Sequence, residues 1–168
     1  MLAFSTRARY ALRLMLDLSR QSNPSTPVRL QQISERTNIS RRYLDQLVLP
    51  LKSAGLIRGR RGPQGGYDLA RAPEDIRLDQ IVEASLGPIA LAPCVEDPDY
   101  CPRSEFCECR LVYLLLSRRL RQSLADFTLS DLSDRQRMDA IRKELALSDD
   151  DVNVRGTAPR GRNRSKRR

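Results

Sequence analysis

Apolar residues recur every three or four positions over five stretches of the chain, and each stretch predicts a helix with one buried face. In residues 6–21 that face is Tyr10, Leu14, Met15 and Leu18, in 30–37 Leu30 and Ile33, and in 41–54 Leu44, Leu47, Val48 and Leu51. Asn38 suits a left-handed stop for the second helix, Ser40 a cap for the third, and Gly55 its end. Pro50 lies inside the third helix. An interior proline removes one helical hydrogen bond and costs roughly 3 kcal/mol, which predicts a kink or an early loosening of the last turn. Residues 56–60 and 67–70 read as two strands around Arg61-Gly-Pro-Gln-Gly-Gly66, and Val28, after a turn over 22–27, as a short edge strand. After a turn at 73–76, residues 78–86 predict a fourth helix with Leu78, Ile81, Val82 and Leu86 inward, ended by Gly87-Pro88. Residues 111–127 carry Val112, Leu116, Leu120, Leu124 and Phe127 in one stripe, widened by Leu111 and Leu115. A further helix is expected over 128–146 with Ser130 or Asp131 as its cap, and disorder from 149 onward, where acids give way to Gly, Pro and Arg.

Two short helices joined by a tight turn and followed by a glycine-rich hairpin predict a mainly α fold. It is a winged helix-turn-helix with a two-stranded wing, plus a long C-terminal helix. The leucine stripe of that helix suits a dimerisation partner, its own domain, or both. With no Trp, three Phe and five Tyr, the core rests on Leu, Ile, Val and Ala. Net charge is +9, and it is unevenly placed: 155–168 hold seven basic residues and no acid, and 29–61 hold eight basic residues against Glu35 and Asp45. Such patches supply the sequence-independent part of nucleic-acid affinity. The wing adds Arg58, Arg60 and Arg61, with glycines, Gly62 among them, that permit positive backbone angles and close approach to a phosphate chain. The expected parts are a DNA-binding winged domain over 1–88, a cysteine-rich loop over 89–110, a dimerisation helix with a following helix over 111–147, and a disordered basic tail over 148–168 that adds non-specific DNA affinity or only solubility.

All four cysteines fall in one segment with the spacing Cys94-x6-Cys101-x5-Cys107-x-Cys109, among five acids and a single arginine, Arg103. Arg7, Arg9, Arg13 and Asp17 interrupt any signal-like apolar run, and no stretch approaches a membrane span, so a cytoplasmic protein with reduced thiols is expected. Clustered thiols there more often bind metal or sense redox state than form structural disulfides. Four thiolates suit zinc as well as an iron-sulfur cluster, but the paired Cys-x2-Cys knuckles usual for structural zinc are missing. Residues two apart on a regular helix point about 200° from each other. Cys107 and Cys109 therefore share a ligand only if the helix starts after Cys109; otherwise Cys109 is a core residue. An enzyme is not expected, since there is no histidine for general-base work and no Gly-Lys-Ser/Thr phosphate loop.

Several blocks match, in order, one family. Thr6-Arg-Ala-Arg-Tyr-Ala-Leu, Ile39-Ser-Arg-Arg-Tyr-Leu-Asp-Gln-Leu, Ala54-Gly-Leu-Ile, Arg61-Gly-Pro-Gln-Gly-Gly-Tyr and three spaced cysteines before a long helix resemble the IscR-like family of bacterial winged-helix iron-sulfur transcription regulators, which includes NsrR and RirA. The resemblance covers about residues 2–132. It implies a homodimer on a partly palindromic double-stranded DNA operator, with the third helix in the major groove and the wing in the minor groove. Ser40, Arg42, Tyr43, Asp45 and Gln46 fall on the family's recognition-helix contacts and Arg61 on its wing arginine. Arginine bonds guanine, Gln46 suits adenine and Asp45 can accept from cytosine N4, while Arg41 and Arg42 suit phosphates. Asp45 is shorter than the Glu of some members, which changes its reach.

Cys94, Cys101 and Cys107 match the three cysteines that commonly hold the family's cluster, with x6 in the first interval where relatives often have x5. The fourth ligand departs from the pattern. Arg110 stands where some members have histidine, and Arg9 where others have an acid. Cys109 is the substitute. The reading is a transcription regulator whose operator affinity is set by a 2Fe-2S or 4Fe-4S cluster. Its rivals are a zinc-bound or metal-independent winged-helix regulator, including a thiol-disulfide switch, and a winged-helix protein-interaction module with a structural metal.

Overall fold

In the computed structural model, which describes residues 4–21, 27–62 and 64–146, helices begin where local capping chemistry places them. α1 spans Thr6–Gln21, α2 Leu30–Thr37 and α3 Arg41–Ser53. The Arg29 N–H donates to Gln32 Oε1 at 3.1 Å at the start of α2, and Asn38 ends it in the left-handed region at φ 54°. Ser40 Oγ accepts from the Tyr43 N–H at 3.4 Å, so α3 opens on its expected cap. α3 runs on through Pro50, and the Ala54 N–H donates to the Pro50 carbonyl at 2.9 Å. The expected loosening does not occur, because Leu47, Val48 and Leu51 on the same helix are buried and hold the last turn in place.

Strands β1, Ile57–Arg60, and β2, Gly66–Leu69, pair antiparallel with Ile57 opposite Leu69 and Arg60 opposite Gly66. Val28 adds a bridge to Tyr67 through two backbone bonds of 2.9 and 2.8 Å, which ties the hairpin to the approach of α2. α4 spans Leu78–Leu86 and the long helix α6 Glu108–Ala125, with a single-turn helix α5, Pro93–Glu96, between them. α6 thus starts three residues earlier than the leucine pattern predicts. Ala11, Leu14, Met15 and Leu18 of α1 meet Ile33, Leu44, Leu47, Leu51, Ile57 and Ile81 in one core. A bidentate pair, Arg36 to Asp17 at 2.9 and 2.8 Å, ties α2 to α1, and that hydrogen bonding raises the Arg36 pKa above its ordinary value.

Two expectations are corrected. Leu86 is 46% exposed rather than inward, because it stands at the last turn of α4 where the chain leaves the core. Residues 128–134 form no α-helix, only a single 3-10 turn over Asp131–Ser133. Leu78 N–H donates to the Phe127 carbonyl at 3.0 Å and Leu129 N–H to the Ile76 carbonyl at 2.7 Å, so the segment after α6 returns to α4 and buries Leu129 completely. Asp131 Oδ2 accepts from the Thr128 N–H and hydroxyl at 2.7 and 2.8 Å, closing a turn rather than capping a helix. The described residues fall into two units that part between Asp134 and Arg135. In the second, α7 spans Arg135–Glu144 and has no buried residue. The expected disordered tail over 148–168 and residues 22–26 of the turn expected over 22–27 lie outside the described residues.

Candidate nucleic-acid interface and cysteine loop

Burying Leu44, Leu47 and Val48 leaves the opposite side of α3 to solvent, and there Ser40, Arg41, Arg42, Asp45 and Gln46 are exposed and Tyr43 is half-buried. Tyr43 packs edge-on against Tyr10 of α1 at 5.5 Å, which fixes the start of α3 against the helix behind it. Arg41 and Asp45 share a shallow cleft with Arg29, Gln31, Gly62 and Tyr67, so the opening turns of α3 and the wing face one groove. Arg60 and Arg61 are exposed along the wing, and Gly62, at φ 104°, is exposed at its tip. The sequence pattern missed Arg29, whose Nη2 donates to Gln64 Oε1 at 3.2 Å, and Asp68, which is paired with the wing arginines. Both lie outside the helix-turn-helix pattern, and only strand register brings them in.

The cysteine loop is tied to α6 at two points. Ser117, buried in the middle of α6, accepts from the Leu91 N–H at 3.0 Å, and Arg110 Nε donates to the Cys94 carbonyl at 2.7 Å. Arg110 is thus the residue that holds the first cysteine against the foot of the long helix. Cys94 sits in α5, Cys101 on extended backbone between two 3-10 turns, and Cys107 on extended backbone as the residue before α6. These three are half-buried and Cys109 is exposed. Neither outcome expected for Cys109 holds: the helix starts before it, at Glu108, and it is not in the core. The opposed directions argued for Cys107 and Cys109 require helical backbone at both, and Cys107, at φ −97° and ψ 108°, is not helical. Among the described residues no three of His, Cys, Asp and Glu stand together as a metal-holding group. The hydroxyl of Ser104, between Cys101 and Cys107, is buried without a hydrogen-bond partner.

The predicted stripe of α6 is divided. Leu124 and, just beyond the helix, Phe127 pack on the core, while Leu111, Val112, Leu115 and Leu116 are 43% to 67% exposed. Leu120 borders an apolar cleft of about 300 Å³ that it shares with Phe4, Leu86 and Ile89. No described helix is long and apolar enough to cross a membrane.

The family profile described as "Rrf2: Iron-dependent Transcriptional regulator" matches residues 4–135. The chain belongs to the Rrf2 family. Its relatives agree. Protein rrf2 of Nitratidesulfovibrio vulgaris is 35% identical over 76% of this chain and 85% of its own length, and IscR of Vibrio atlanticus is 34% identical over 95% and 96%. Among solved structures, CymR, the global cysteine regulator of B. subtilis, superposes with a TM-score of 0.62 at 33% identity, covering 79% of this chain and 96% of CymR. IscR of T. potens gives 0.62 at 32% identity, covering 78% and 85%. The chain is therefore an Rrf2-family transcriptional regulator with a DNA-binding winged helix, in a family of regulators rather than enzymes.

Proposed function

We propose that this Rrf2-family protein is a cytoplasmic, homodimeric regulator whose affinity for a partly palindromic operator is controlled by an iron-sulfur cluster in the cysteine loop. The observation that carries this reading is the double tie of that loop to α6, through Ser117 and Arg110. Whatever gathers the loop acts directly on the helix that carries the open leucine face.

The donor set fits a cluster chemically. Four thiols lie within sixteen residues, none is in the apolar core, and a buried hydroxyl without a partner stands among them. Cys94, Cys101 and Cys107 would hold the cluster, with Cys109, exposed in the first turn of α6, as the fourth donor. Bound there, a cluster supplies metal-thiolate bonds that oxidants, nitric oxide or iron shortage can break. The protein's own part is mechanical and electrostatic. Arg110 holds the Cys94 backbone, Ser117 holds the entry to the loop, and the Ser104 hydroxyl, buried without a partner, would donate to a thiolate gathered beside it.

On DNA, Asp45 and Gln46 read base edges in the major groove, Ser40, Arg41, Arg42 and Tyr43 position α3 on the phosphates, and Arg60, Arg61 and Gly62 follow the minor groove. The open face of α6 meets its counterpart in a second copy and sets the two reading helices about one DNA turn apart. Purification without oxygen followed by iron, sulfide and zinc analysis tests the cofactor: about equal iron and sulfide is expected, and colourless protein with stoichiometric zinc would overturn it. Replacing Cys94, Cys101 and Cys107 together by Ala is expected to shift operator affinity by the roughly 5- to 150-fold typical of allosteric coupling. Affinity equal to that of the parent in every redox condition would refute cluster control.

A further inference from the structure

The hairpin from 57 to 69 contains one acid among its arginines. In the antiparallel register Arg58 faces Asp68 and Arg60 faces Gly66. Side chains opposite each other or two apart stand on the same side of a hairpin, so Arg58, Arg60 and Asp68 share one side and Ile57, Tyr67 and Leu69 the other. The second side enters the core through Ile57 and Leu69. The first points away from it, yet Asp68 is only 8% exposed.

Two arginines stand beside that carboxylate. Arg60 Nε lies 2.6 Å and Arg58 Nε 3.7 Å from Asp68 Oδ2, with side chains 37% and 58% exposed. Arg60 is in direct ion-pair contact with the carboxylate and Arg58 stands just beyond it, while Oδ2 has no hydrogen-bond partner, so the ion pairs are what offset its burial. A carboxylate on a surface that meets phosphates opposes association, because it cancels one positive charge. Its contribution must lie elsewhere than in gross affinity. An arginine held by a buried carboxylate has lost much of its rotamer freedom before DNA arrives, so it cannot follow whatever phosphate happens to be near.

We propose that Asp68 is a positioning residue for the wing: by holding Arg60 and Arg58 along the strands, it restricts them to DNA of one groove path and exchanges non-specific affinity for discrimination between sequences. Arg61, the next residue toward the tip, is exposed and lies outside this pair of salt bridges. The inference rests on the wing lying against DNA, and the test separates the two.

The full chain is titrated, over a range of salt concentrations, with a duplex it has itself selected from a random pool and with a scrambled duplex of the same length and composition. Asp68→Asn is expected to bind the scrambled duplex about 3- to 10-fold tighter with a salt slope steeper by about one charge, and to bind the selected duplex no tighter. The ratio of the two affinities then falls at least about threefold. Asp68→Glu, which keeps the charge, is expected to preserve the ratio, and melting temperatures report that the fold is intact. If both duplexes tighten by the same factor, Asp68 is a mere charge and the positioning role is wrong; if neither changes, it is wrong as well. Should Asp68→Asn melt early, Asp68→Thr, whose branched side chain suits a strand, is read by the same outcomes. Arg61→Ala isolates the premise: unchanged DNA affinity in that variant removes the wing from the interface altogether, whereas weakened affinity with an unchanged Asp68→Asn ratio overturns only the present inference.

Discussion

Gly66 sits where β2 passes the chain leading into α2, and a Cβ there would lie 2.6 Å from the Val28 carbonyl oxygen and 2.8 Å from its carbon. Both obstacles are backbone in a paired bridge and cannot yield cheaply. Gly66→Ala is therefore expected to cost about 1 to 3 kcal/mol in denaturant unfolding and to weaken DNA binding as the wing shifts. Sequence alone identified the glycine-rich wing but assigned its glycines to approach of a phosphate chain. Only Gly62, at φ 104° with open space around it, keeps that freedom; Gly66 is needed for close approach of the protein to itself. Such crowding is non-local, so no window around residue 66 reveals it. The start of α6 was missed for the opposite reason, a local one. Glu108, Cys109 and Arg110 contribute nothing to the leucine periodicity that dated the helix from 111, although an acid in the first turn suits the helix dipole.

At the scale of the element, α6 was legible as an amphipathic helix, but how its stripe is shared was not. Which leucines stay home depends on where the chain goes after Phe127, and that return is fixed by backbone bonds to Ile76 and Leu78. Leu86 belongs to the same misassignment: helical spacing places it on the inward side of α4, whereas it borders the apolar cleft with Phe4, Ile89 and Leu120. Leu116 is 43% exposed within the open part of the stripe. Leu116→Glu is expected to convert the proposed dimer to a monomer in sedimentation at micromolar concentration, because a buried unpaired carboxylate is costly at an interface, while each protomer keeps its helical content. An unchanged dimer would place the interface elsewhere.

For the whole molecule, the decisive link joins the two ends of one chain segment: residues 76–78 at the start of α4 and residues 127–129 after α6 are hydrogen-bonded to each other. Leu129 is fully buried there beside the core that holds α3. Leu129→Ala is expected to destabilise the protein by about 2 to 5 kcal/mol, measured by denaturant unfolding, and to do so without touching any DNA-facing or thiol-bearing residue.

That link is also the point about which α6 would turn in the proposed mechanism. An 18-residue helix is about 27 Å long at 1.5 Å per residue, and α6 is fastened to the reading head at one end and to the cysteine loop at the other. Turning such a lever by about 10° about its fastened end moves the far end by about 5 Å, close to one and a half base-pair steps of a duplex. On the proposed reading, a displacement of a few ångströms among the thiols would thus turn α6 by about 10° against the reading head, without any change inside the winged domain, and alter the spacing of the two reading helices joined through it.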